Sequence, residues 1–230
     1  NGTEYQANTD NLCYYDTTTQ SVICGDTAAS ATNTTDTKTP KSVVMGMGAT
    51  SDGETNVAIG ANSVTKMAGA IAIGGAAKAL DNQAIAIGLQ AEATSDFDVS
   101  IGRQAGSGTV TPSSEGRNIA IGDGALRNAV TPNNNIAMGT DAASGITGNF
   151  NIALGAYANS VSNSPGAVTA NNTIAIGERA RASSTNAIAQ GNRTTASGGA
   201  AIAVGANANA TGGYAIAQGY ATQATGISSI

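Results

Sequence analysis

Histidine is absent from this 230-residue chain, and so is tryptophan. Without an imidazole there is no Ser-His or Cys-His nucleophile pair and no histidine metal site, so the commonest hydrolytic and metal-dependent chemistries are excluded. No catalytic residue, metal ligand or cofactor is expected. Aromatic residues make up only 3% of the chain, and much of its hydrophobic fraction is alanine, so any core must be thin. Charge is scarce and acidic, with 10 Lys and Arg against 15 Asp and Glu. A phosphate-binding surface needs clustered basic residues, and here they are scattered, so nucleic acid is not an expected partner. No apolar run approaches the ~18 residues of a membrane-spanning helix, and no basic-then-apolar segment opens the chain. Membrane insertion by this segment is therefore not expected, and the chain reads as a mature protein or an excised fragment.

Only two cysteines are present, Cys13 and Cys24, framing two short runs about a Thr-rich turn. This arrangement predicts a hairpin whose ends a disulfide ties, worth about 3 kcal/mol in the chain-entropy model. Two free cytosolic thiols are the alternative, and the disulfide reading implies an oxidising or extracellular setting.

What the chain has in abundance is one motif, apolar-Ala-apolar-Gly, as in Ile71-Ala72-Ile73-Gly74 and Ile85-Ala86-Ile87-Gly88. Its copies end at Gly46, Gly60, Gly74, Gly88, Gly102, Gly122, Gly139, Gly155, Gly177, Gly191, Gly205 and Gly219, a base step of 14 residues that lengthens only between Gly102 and Gly177. A fixed period means stacked copies of one unit. The alternation within Ile-Ala-Ile is that of a strand, and the glycine permits a tight turn. Helix is excluded by runs such as Gly74-Gly75 and Gly198-Gly199, which follow no 3.6-residue apolar period. At ~3.3 Å per residue, 14 residues form two strands of about five plus two turns. The expected fold is all-β, a parallel β-roll of about twelve coils. Residues 43–230 form the roll, with inserted turns in 103–173, and residues 1–42 form an amino-terminal cap or tip.

Alternation gives each strand a bulky face and a small face. So narrow a roll suits alanine, including Ala77, Ala91, Ala105 and Ala125 three places after the glycine. The bulky face then points outward as an apolar band too large for a soluble monomer, which marks an oligomer interface. Its members are Val57, Ile59, Ile71, Ile73, Ile85, Ile87, Ile101, Ile119, Ile121, Ile136, Ile152, Ile174, Ile176, Ile188, Gln190, Ile202, Ile216 and Gln218. The alternative puts isoleucine inside and alanine outside. Gln190 and Gln218 favour the first arrangement, because an amide inside the roll would lack partners at about 1–3 kcal/mol.

Repeats such as Thr55-Asn56-Val57-Ala58-Ile59-Gly60-Ala61-Asn62-Ser63 and Asn118-Ile119-Ala120-Ile121-Gly122-Asp123-Gly124-Ala125 resemble the YadA-like head domain of trimeric autotransporter adhesins. The resemblance covers about residues 43–222. It implies a left-handed parallel β-roll in a side-by-side homotrimer, with the apolar ladder at its centre. It also implies a place on the Gram-negative cell surface, anchored to the outer membrane through a stalk and barrel that this segment lacks. Attachment to a host matrix protein, a cell surface or an abiotic surface would be the function. A trimeric, phage-like spike or spacer carrying a separate binding tip is the alternative. The acyltransferases with hexapeptide repeats share parallel coils, but their catalytic base is a histidine.

Insertions in a repeat protein often mark its binding face. The candidates there are Phe97, Arg117, Asn134, Phe150 and Asn163, with both phenylalanines of the chain placed at turns. Asp96 and Asp98 read as a surface-turn pair. Arg103, Arg179, Arg193, Lys78 and Arg181 could form a basic stripe, but Glu92, Asp123 and Glu178 at comparable positions favour a mixed, solvated face.

Overall fold

Each apolar-Ala-apolar triplet forms a three-residue strand, and the glycine after it ends that strand in the computed structural model, which describes residues 13–25, 29–32, 41–109, 116–130, 132–160 and 168–230. Twelve strands at these motif positions, from Val43–Met45 to Ile216–Gln218, pair in parallel and in register, middle residue on middle residue and outer on outer, as Ala72 on Ala86 and Ile73 on Ile87. They belong to one 14-stranded sheet. Its remaining members are Ser21–Cys24, parallel to Val43–Met45, and Cys13–Asp16, antiparallel to Ser21–Cys24. The fold is therefore an all-β parallel solenoid of about twelve coils. Its strands, at two to four residues, are shorter than the expected five.

A second side closes each coil. It holds a five-stranded sheet, from Ser30–Thr32 to Glu92–Ala93, and a four-stranded sheet, from Arg181–Ala182 to Gln223–Ala224. Between them lie the coils with insertions, where turns replace the second strand. Coil-to-coil hydrogen bonding nevertheless continues through Glu92 N–H to Ala105 O, Gly106 N–H to Ala125 O, Leu126 N–H to Ala142 O, Ala143 N–H to Ala158 O and Asn159 N–H to Ala180 O, at 2.8–2.9 Å. The insertions thus interrupt the strand geometry and leave the stack intact.

Alanine fills the interior. Ala58, Ala72, Ala86, Ala137, Ala153, Ala175, Ala189 and Ala203 of the strands are all fully buried, as are Ala77, Ala91, Ala105 and Ala125 beyond the glycines. This decides between the two faces in favour of the small one inside. The inserted coils are wider and recruit larger side chains, with Leu126, Ile146 and Val168 buried. Part of the inserted sequence is therefore core and unavailable to a ligand.

The strand glycines are required twice over. Gly74 has φ +133°, a region L side chains rarely adopt, and a Cβ there would lie 2.5 Å from the carbonyl oxygen of Gly88 in the next coil. Gly60 stands in the same relation to Gly74.

A buried polar ladder also runs through the inserted coils, from Asp98 to Thr173, at the residue preceding the outer strand. Asn118 donates to Asp98, Asn135 N–H to Asn118 Oδ1 at 3.0 Å, Asn151 N–H to Asn135 Oδ1 at 2.9 Å, and Thr173 N–H to Asn151 Oδ1 at 3.0 Å. The side-chain amides bond backbone carbonyls as well: Asn118 to Pro132, Asn135 to Gly148 and Asn151 to Ala170. Where insertions widen the coil, these amides replace alanine and satisfy backbone groups that would otherwise be buried without partners.

Candidate assembly ladder and binding edge

All eighteen residues expected at an interface lie on the 14-stranded sheet and point away from the alanine interior. The sixteen aliphatic ones are half-buried, and Gln190 and Gln218 are exposed. Register arranges the face in two rows. One runs through Val57, Ile71 and Ile85 toward Ile216, the other through Ile59, Ile73 and Ile87 toward Gln218. Val43, Met45, Val99, Met138, Leu154 and Val204 complete these rows. Their signal was the glycine alignment itself, which places them at motif positions where another apolar residue replaces isoleucine. Gln190 and Gln218 flank Val204 in the second row.

Phe97, Arg117, Asn134 and Phe150 share a feature that residue type does not disclose. Each lies two residues before an outer strand, in four successive coils, and each adopts a left-handed backbone, φ +59°, +50°, +54° and +58°. Bulky residues seldom take that conformation. Backbone bonds stack them along one edge of the roll: Phe97 N–H donates to Asn82 O, Arg117 N–H to Asp96 O, Asn134 N–H to Gly116 O and Phe150 N–H to Asn133 O. The rings are exposed, and the Arg117 guanidinium stands 6.0 Å from the Phe97 centroid, within cation–π range. Asn163 lies outside the described residues.

At the other turn, two residues beyond each strand glycine, Arg179 stands over the Tyr157 ring at 5.5 Å. The charges on this side alternate and pair: Lys78 with Glu92 at 3.3 Å, Arg103 with Asp123 at 2.7 Å, Arg127 with Asp141 at 2.9 Å and Arg179 with Glu178 at 2.9 Å. The surface is mixed and solvated rather than a basic stripe, and such exposed pairs contribute little stability.

Asp98 departs from its expected place on a surface turn. It is buried beneath the inserted coil, and Gly116 packs so closely that a Cβ there would overlap both Ser95 and Asp98. Burial raises its carboxyl to about 6 against the lowering effect of its Asn118 and Ser95 donors. Asp96, by contrast, is held below the ordinary carboxylate range chiefly by the Asn82 side chain.

Cys13 and Cys24 form a disulfide across the antiparallel hairpin, at directly paired positions. Among the described residues no group of three or more His, Cys, Asp or Glu side chains could hold a metal ion.

Residues 66–91, 82–105, 169–194, 182–208 and 210–230 match the YadA head domain repeat. The matched coils are the regular ones on either side of the insertions. No curated protein and no solved structure matches the chain. The matched family is a non-enzymatic adhesin domain. The regular coils on either side of the insertions thus match the YadA head domain repeat, consistent with the head of a trimeric autotransporter adhesin.

Proposed function

We propose that three copies of this chain join side by side along their outer ladders into an adhesin head, each roll winding left-handed. The head sits on the surface of a Gram-negative cell, beyond a stalk and barrel anchored in the outer membrane. The carrying observation is the segregation of side chains: alanine fills every coil while two rows of isoleucine, valine and glutamine remain outside. An apolar band of that length on a solvated protein needs a partner surface. Residues 43–230 form the adhesive roll, and the segment before them, with its hairpin, forms the cap.

The family match supports a non-catalytic, multivalent role. Three copies present three identical edges, each with Phe97, Arg117, Asn134 and Phe150 in a row, so weak single contacts add up. The proposed partner is a host matrix protein, a cell surface or an abiotic surface. Attachment to immobilised matrix proteins and to plain polymer surfaces tests this reading, comparing the assembled head with Phe97→Ala/Phe150→Ala. Loss of attachment in an intact assembly supports the edge as the binding surface, and unchanged attachment removes it.

A further inference from the structure

We infer that the assembly face continues onto the disulfide-closed hairpin, so that Tyr15, Val22 and the Cys13–Cys24 cystine are covered by two further copies of this chain. This rests on the assembly proposed above and extends it to a segment outside the repeats.

Strand pairing carries the inference. Tyr15 is the direct partner of Val22, Val22 of Val43 and Val43 of Val57, so the first ladder row runs without a break from the roll to the edge of the hairpin. The second row does the same, from Ile59 through Met45 to Cys24 and its partner Cys13. The inner row keeps step, since Ile23 is buried in line with Val44 and Ala58. Hairpin and roll are therefore one continuous sheet, on whose outer face Cys13, Tyr15 and Val22 are open while Cys24 is already buried and, at the edge, Tyr14 is open on the inner row. Tyr15, at 59% exposed, is the most open apolar member of either row, and Val22 at 40% and Met45 at 38% are as open as Met138 at 43% in the middle of the roll.

Charge identifies the occupant. In a symmetric assembly each residue near the axis meets its own copies, so a charged one would face like charge. The two outer rows contain no charged residue from Tyr15 to Gln218, and their polar members are amides, which donate and accept and can bond one another. On the opposite sheet, outward positions include Lys78, Glu92 and Arg181. The hairpin obeys the same division, since its one charged residue, Asp16, pairs with Ser21 off both outer rows. A neutral, self-complementary face continuous across two segments fits further copies of the same chain. The disulfide then holds Tyr15 in register with the ladder it extends.

The test places a benzophenone-bearing phenylalanine at position 15 of the full chain and irradiates it at a concentration where native mass has been measured. Covalent products of two and three chains are expected, and the same substitution at the exposed turn residue Thr17 gives few. Tyr15→Asp, at a solvent-exposed site, leaves the coil's circular dichroism unchanged and weakens assembly by about tenfold or more. An assembly by mass that yields only single-chain products at position 15, and is indifferent to Tyr15→Asp, overturns this inference alone. A monomer by mass overturns both it and the assembly on which it rests.

Discussion

Asn118 donates both its backbone N–H and its side-chain Nδ2 to a single atom, Asp98 Oδ1, at 2.8 and 3.0 Å. Asp98 also accepts from Ser95 N–H, yet burial outweighs these donors and raises its carboxyl from 3.8 to about 6. A group whose folded pKa exceeds its unfolded value stabilises when protonated. Its contribution is complete below about 4 and is lost as pH rises through about 6, on the order of 3 kcal/mol. Asp98→Asn keeps an acceptor for Asn118 and removes the titration. Urea denaturation of the wild type between pH 4 and 7 should show stability falling, with that slope reduced in the variant.

The internal polar ladder gives a second prediction. Asn151 Oδ1 accepts from Thr173 N–H at 3.0 Å and Thr173 Oγ1 at 2.7 Å, while its Nδ2 donates to Ala170 O at 3.0 Å. Asn151→Ala removes the partners of Thr173 N–H and Ala170 O at about 1–3 kcal/mol each, while Thr173 Oγ1 keeps its bond from Asn159 Nδ2. Denaturation midpoints should fall accordingly.

A third prediction separates the two demands on the strand glycines. Gly74→Ala meets both a left-handed backbone and the Gly88 carbonyl, whereas at Gly219, in the last coil, a Cβ meets only Thr222 Cγ2, at 3.1 Å. Gly219→Ala should cost about 1–3 kcal/mol from backbone strain alone. Gly74→Ala should cost distinctly more, because stacked coils must also separate.

The two faces of one strand should respond differently. Ala72 is fully buried and Ile73 is half-buried on the outer face. Ala72→Leu overpacks the coil and should lower stability by at least about 1–3 kcal/mol. Ile73→Asp should retain the β-sheet circular dichroism while abolishing assembly.

Much of this was legible because parallel, in-register stacking turns sequence period directly into spatial neighbourhood. Gly74 and Gly88 are 14 residues apart and touch; Ile73 and Ile87 are 14 apart and pair. The same logic located Phe97 and Phe150 at turns. The period could not indicate what the insertions do. Asp98, Asn118, Asn135 and Asn151 occupy the position held by Ala70 and Ala84 in regular coils, and by the buried Asn56 in one of them, so coil length alone does not reveal where a polar side chain folds inward. Leu126 and Ile146 resemble loop residues in sequence and fold inward as well. The common edge of Phe97, Arg117, Asn134 and Phe150 was hidden by unequal spacing between coils. Counting back two residues from each outer strand would have aligned them.

The central claim is that the outer ladder joins three chains, and the solution mass of the unmodified protein tests it most directly. Sedimentation equilibrium should give three times the 22.4 kDa chain mass across the accessible concentration range. A stable, folded species of one chain mass would contradict the account.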